Sequence, residues 1–302
     1  MPGPQRVRVY EVGPRDGLQN ESTVLTTEVK LELIRRLATA RPWGIEVTSF
    51  VRPDRIPQLA DADDLSAQLH AAGWAGGVRL GALVPNFRGF ERLAASGLRL
   101  LTLVFSVSES HNRANLNCSV ARSMEEARRV LAGARAAGIH SRASLSTAFG
   151  CPYEGPVAAE RVLELVSFLV NCGADEVVLA DTLGVAQPLA VRALCARAQD
   201  MLPGERLGLH LHDTYGAALA NVVAGWETGV ASFDAAVGGT GGCPYAPGAA
   251  GNLATEDLVA LFQRMQVETG VDLQAVAAAG RFLEGVLGHT LPGRTLRALT
   301  LA

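Results

Sequence analysis

The chain is almost without lysine: Lys30 is the only one, beside 26 arginines. It lies in EVKLELIRRL, where apolar residues at 29, 33, 34 and 37 mark a helix. Read off that stripe, Lys30 is expected to face solvent. Schiff-base and pyridoxal-phosphate chemistry need a buried amine. Any carbon–carbon chemistry must therefore draw on a metal or another device. Cysteine is also sparse. Cys118, Cys151, Cys172, Cys195 and Cys243 are odd in number and form no CxxC pair. That argues against a disulfide framework or a zinc knot, and most of them read as small core residues. No run of about 18 apolar residues marks a membrane span. The start, MPGPQRVRVYEVG, lacks the apolar core of a signal peptide and the length of a transit peptide, so the expected location is the cytoplasm. Net charge is −3 with no basic or acidic block, which argues against nucleic-acid and membrane-surface binding. No GxGxxG follows the first strand, against a dinucleotide fold.

What is present suits one α/β barrel. Of 302 residues, 48% are hydrophobic and 19% charged, enough to bury a sizeable interior. Short apolar runs read as strands at Val7–Gly13, Gly44–Phe50, Arg79–Val84, Leu98–Ser106, Ser141–Ala148, Glu176–Asp181, Arg206–His212 and Ser232–Val237. Amphipathic stretches at Thr27–Ala40, Ser123–Ala137, Ala158–Cys172, Pro188–Met201 and Ala217–Thr228 lie between them. Gly138 and Gly229 fit left-handed helix caps. Alternating strands and helices predict a (β/α)8 TIM barrel, with an open doubly wound sheet as the second choice. No linker divides residues 1–302. The stretch 270–302 reads as a C-terminal helical extension. GlyCysProTyr recurs at 150–153 and 242–245 but is too short to be a repeat.

In such a barrel, chemistry sits at the C-terminal ends of the strands. The polar residues fall there. Strand seven, LGLHLHDTYG, places His210 and His212 on one face, since strand residues two apart share a side. They read as half of a metal site or as a pair of hydrogen-bonded core histidines. Arg15 and Asp16 follow strand one. Glu46 is a carboxylate inside strand two, free to pair with Arg15 or to act directly. Asp181 ends strand six, as a site carboxylate or as the cap of the next helix at ThrLeuGly. A glycine-rich loop after strand eight carries Cys243 and Asn252; alone, Asn252 reads as a helix cap. Six glycines and two prolines between Gly238 and Gly251 suit a lid.

Taken together, EVGPRDGLQNE (11–21), IEVTSFVRPDRIPQLAD (45–61), GCPYEG (150–155), LADTLGV (179–185), HLHDTYGAALAN (210–221) and GGCPYAPGAAGNLATEDLV (241–259) resemble the 3-hydroxy-3-methylglutaryl-CoA lyase family. The resemblance spans most of the chain in the same order. It implies a (β/α)8 barrel, a divalent ion (Mg2+ or Mn2+), and retro-Claisen cleavage of an acyl-CoA to acetyl-CoA and acetoacetate. It implies Asp16, His210, His212 and Asn252 as metal ligands and Cys243 as general acid. Arg15 would face the enolate, Glu46 would orient Arg15, Asp181 would serve as the hydroxyl base or its relay, and Asn20 would contact the cofactor. A homo-oligomer, most simply a dimer, is expected. Where some relatives carry lysine after LQNE, this chain has Ser22, and near its C-terminus only Arg294 and Arg297 offer charge to CoA. No cysteine follows Cys243, so no thiol switch in the tail is expected. A longer branched 3-hydroxyacyl-CoA is the nearest alternative substrate. A condensing synthase and a non-catalytic metal scaffold stand further off.

Overall fold

A computed structural model describes residues 3–72, 77–242 and 251–300. Eight parallel strands close into a barrel in sequential order, each paired with the next and β8 with β1. They are β1 (Arg8–Glu11), β2 (Gly44–Ser49), β3 (Arg79–Val84), β4 (Leu100–Ser106), β5 (His140–Ser146), β6 (Glu176–Asp181), β7 (Leu207–Leu211) and β8 (Ser232–Ala235). Every expected strand is present and trimmed by a few residues at most. Closure excludes the open doubly wound sheet.

The helices are α1 (Thr27–Thr39), α2 (Ala62–Ala71), α3 (Phe87–Ser96), α4 (Glu109–Leu116), α5 (Val120–Ala136), α6 (Ala159–Asn171), α7 (Pro188–Ala198), α8 (Ala218–Glu227), α9 (Thr255–Arg264), α10 (Leu273–Leu287) and α11 (Arg294–Thr300). Their ends follow local chemistry. Ser119 caps α5 by accepting from the Arg122 amide, and Asp272 caps α10 by accepting from the amides of Gln274 and Ala275. Gly138 and Gly229 take φ values of 64° and 107°, the left-handed turns expected of them. Each helix buries one stripe on the barrel. In α6 these residues are Val162, Leu163, Leu165, Val166 and Leu169, each contributing about 1.5–3 kcal/mol of transfer free energy. The C-terminal extension is α10 and α11. α10 packs on α1 and α9, and α11 on α9.

Lys30 corrects one expectation. It is buried at 2% exposure, not solvent-facing, because 30, 33, 34 and 37 share one helical stripe. Its ammonium donates to the Gln58 carbonyl at 2.5 Å and to Asp61 at 2.7 Å. That pair ties α1 to the loop after β2. Lys30 does not line the central cavity, so its position, rather than exposure, keeps it from amine catalysis there.

Candidate active site

The C-terminal ends of the strands open into a cavity of about 1250 Å³. Arg15 and Asp16 reach it from a single π-type turn, Gly13–Gly17, after β1. Three amides, those of Arg15, Asp16 and Gly17, converge on the Val12 carbonyl and force the turn. Gly17 is required by close approach: a Cβ there would stand 2.3 Å from Thr240 Oγ1. The RDG triplet is thus a seat pressed against the loop after β8.

β7 delivers the two imidazoles to one side, as its period of two demands. Their ring centroids are 5.3 Å apart. One ligand-capable atom from each of Asp16, His210 and His212 lies within 4.8 Å of the others. Asn252 joins them through backbone pairing. The Asp213 amide donates to the Gly251 carbonyl, the Leu253 amide to the Leu211 carbonyl, and the Ala236 amide to the Leu253 carbonyl. Residues 251–254 are thereby sewn between the ends of β7 and β8. Asn252 is not the cap of α9; that position is Ala254. Its Nδ2 donates to the Thr240 carbonyl at 3.0 Å, while its Oδ1 is buried without a partner.

Electrostatics match a cation site. Burial pushes the Asp16 carboxyl up, but Arg15, His210 and His212 hold it well below the usual carboxylate range. Burial and the neighbouring His210 lower His212 to about 4, so its ring is neutral at pH 7. His212 Nδ1, like Asn252 Oδ1, is buried without a hydrogen-bond partner. An ionised carboxylate, neutral imidazole and an orphaned amide oxygen form a donor set that fits a divalent ion.

Arg15 is clamped from two sides. Its Nε donates to Glu46 and its Nη1 to Asp16. Glu46, which accepts from Arg15, is fully buried in β2. Asn20 lines the cavity and donates to the Gly242 carbonyl at 3.1 Å, linking the loops after β1 and β8.

Asp181 is not the cap of the next helix: α7 takes Gln187 as its N-cap, and Asp181 instead holds the turn ahead of it. Its oxygens accept from the amides of Val185 and Ala186 at 3.0 and 2.9 Å. It does not line the cavity, whereas its neighbours Ala180 and Thr182 do. The alternation of β6 turns Asp181 outward, so it is not placed to take a proton from substrate. Arg294 donates to Asp213 at 3.0 Å, which anchors α11 beside the exit of β7. Cys243 and most of the glycine-rich segment lie outside the described residues.

Sequence reasoning missed a layer beneath the site. Arg142 of β5 is fully buried. It donates to Asp234 of β8 at 2.6 Å and, through Nε, to Glu176 of β6 at 3.0 Å. Its guanidinium stacks on Tyr10, 4.0 Å from the ring centroid. Asp234 lines the cavity and stands 3.3 Å from His210 Nδ1. These charges are buried side chains of barrel strands, as Glu46 is.

A closed β/α barrel with a metal-capable cluster and a clamped arginine at its strand ends is the architecture of a barrel enzyme. The profile of the HMGL-like family matches residues 6–283. The chain is 44% identical to an (R)-citramalyl-CoA lyase of Chloroflexus aurantiacus, covering 95% of this chain and 93% of that one. It is 42% identical to a hydroxymethylglutaryl-CoA lyase of Bacillus subtilis, covering 98% of each. A crystal structure of a B. subtilis HMG-CoA lyase superposes with a TM-score of 0.96 at 42% identity, over 99% of this chain and 100% of that one. An HMG-CoA lyase from Acinetobacter baumannii, solved with coenzyme A and 3-methylmalate, gives 0.92 at 36% identity, over 97% and 95%. The chain belongs to the HMGL-like family and is a carbon–carbon lyase of the HMG-CoA lyase type.

Proposed function

We propose that this enzyme cleaves 3-hydroxy-3-methylglutaryl-CoA to acetyl-CoA and acetoacetate, with Mg2+ or Mn2+ held by Asp16, His210, His212 and Asn252. One observation carries the reading. The Asp16 carboxylate meets two imidazoles and the Arg15 guanidinium at the same point. A cation site and a fixed positive charge therefore sit side by side. When bound, the ion supplies a Lewis acid that lowers the pKa of the substrate hydroxyl.

The tertiary hydroxyl gives up its proton to water at the open mouth of the cavity, and that O–H electron pair becomes the second bond of the new carbonyl. The bond between C2 and C3 breaks, and its electron pair moves into the enolate of the acetyl thioester. Arg15, already clamped by Glu46 and Asp16, meets the enolate oxygen without reorganising. The enolate carbon then takes the thiol proton of Cys243. Closure of the segment 238–251 would exclude water from that enolate. Asn20, on the same rim, supports the seating of the CoA ester.

The 44% identity to a citramalyl-CoA lyase favours a second reading. A citramalyl thioester carries the same tertiary hydroxyl, with the carboxylate one carbon closer to it. The same bond cleavage then yields a 2-oxo acid. A longer branched 3-hydroxyacyl-CoA is a third substrate of the same type, and the cavity volume suits it. The deciding assay gives the purified protein Mg2+, a thiol reductant and each CoA ester, with an EDTA control. EDTA-sensitive acetoacetate release at the higher kcat/KM supports the proposal. Preferential pyruvate release from the citramalyl ester transfers it to the second reading. No cleavage of any ester by folded, metal-loaded protein overturns all three.

A further inference from the structure

The two histidines of β7 are not held alike. His212 Nδ1 is buried without a partner, whereas His210 Nδ1 faces Asp234 Oδ2 at 3.3 Å. Asp234 is itself fixed. Its other oxygen, Oδ1, accepts from Arg142 Nη2 at 2.6 Å, and Arg142 is anchored by Glu176 and by the face of Tyr10. From the described residues, we infer that Asp234, oriented by Arg142, is a positioning residue that sets the tautomer of His210. This rests on the metal site proposed above.

The argument is one of donors and acceptors. Arginine can only donate, and an ionised carboxylate can only accept. With Oδ1 committed to Arg142, Oδ2 accepts from His210, so the neutral ring carries its proton on Nδ1. Nε2 is then left with a free lone pair. Nε2 is also the atom that faces Asp16, 3.6 Å from its Oδ2. Asp234 lines the cavity with both its oxygens already facing partners, Arg142 and His210. The partner of a ligating imidazole fixes which nitrogen ligates and typically changes metal affinity 10–100-fold.

The inference makes an unusual ordering testable. In Asp234→Asn, Arg142 still demands an acceptor, so the amide turns its oxygen to Arg142 and its NH2 to His210. His210 Nδ1 must then accept, and the proton moves to Nε2, the wrong nitrogen for a ligand. In Asp234→Ala, nothing dictates the tautomer, and a bound ion can still select a free Nε2. The isosteric variant should therefore bind Mn2+ about 10–100-fold more weakly than wild type, and Ala only severalfold more weakly. A purely structural role gives the opposite order, because Ala leaves a void and strips Arg142 of a partner.

Two measurements decide. Calorimetric titration with Mn2+ gives the affinities. Nitrogen-15 spectra of histidine-labelled, ion-free protein at alkaline pH read the tautomer directly, with His210 assigned by its loss in His210→Gln. Protonated Nδ1 in wild type, protonated Nε2 in Asp234→Asn, and weaker Mn2+ binding by Asn than by Ala bear the inference out. An unchanged tautomer in Asp234→Asn, or Ala binding as weakly as Asn, overturns it. Wild type that shows the Nδ1 tautomer but binds no Mn2+ overturns the metal reading instead, since the spectra do not depend on the ion.

Discussion

Glu11 should make the enzyme less stable as pH rises, and replacing it by glutamine should remove that loss. This carboxyl is buried where three segments meet. Oε1 accepts from the amides of Gly13 and Val237 at 2.7 and 2.9 Å, and Oε2 accepts from the Thr255 hydroxyl at 2.7 Å. It thus staples the turn that carries Asp16, the start of the glycine-rich loop, and the start of α9, three residues after Asn252. Burial, opposed by these three hydrogen bonds, raises its pKa from 4.5 to about 7. A raised carboxyl pKa means that the folded state holds its proton longer than the unfolded chain. The stability linked to that proton is full below 4.5 and is lost as pH rises through 7. Integrating the proton linkage for those two pKa values gives a loss of about 0.8 kcal/mol by pH 5 and about 3 kcal/mol by pH 8. Glu11→Gln mimics the protonated form. Its oxygen can keep both amides, and its NH2 can donate to Thr255. The difference in unfolding free energy between variant and wild type should therefore grow by about 2.5 kcal/mol in the variant's favour from pH 5 to pH 8. Urea denaturation at several pH values measures this, because every other titrating group is common to both proteins. A flat difference curve, or one that falls with pH, would mean that the hydrogen bonds outweigh burial and would refute the reasoning.

Two substitutions probe the proposed chemistry. His212→Ala should lose bound metal and activity together, by elemental analysis and turnover, because it removes a neutral ligand from a four-donor set; unchanged metal content would show that the set is wrong. Cys243→Ala should lower turnover about 10²–10⁴-fold while substrate still binds, the usual range for a lost proton donor. Near-normal turnover would remove the thiol from the mechanism.

The barrel was legible because its strands are short, mostly apolar and regularly interrupted by helical stripes, and because eight of them in alternation is the number a closed barrel uses. The mouth of the site was legible for a related reason. His210, His212, Arg15 and Asp16 are polar residues at strand ends, and Glu46 is a carboxylate inside an apolar strand, where a core has no use for them. What misled was position within a stripe. Lys30 reads as lying off the stripe at 29, 33, 34 and 37, yet its spacing from Leu33, Ile34 and Leu37 buries it, and Asp61 makes that burial tolerable. Asp181 misled in the other direction. Its place at a strand end matches a catalytic carboxylate, but the face on which it falls is set by the register of β6, and that register turns it onto the amides of the next turn.

Arg142, Glu176 and Asp234 show why the layer under the site is harder to read. Each is a buried charge in a barrel strand, and any of them alone would cost several kcal/mol to bury. Their burial makes sense only as a set drawn from β5, β6 and β8, and one-dimensional spacing does not reveal that those strands aim the three side chains at one point. The set carries a functional consequence. An Arg142 shared between Glu176 and Asp234 is a rigid donor, and a rigid donor beneath Asp234 fixes which oxygen is left for His210. The residues that name the reaction therefore lie at the rim, where sequence patterns show them. The residues that decide how the rim presents itself lie one turn deeper, where only the closed barrel brings them together.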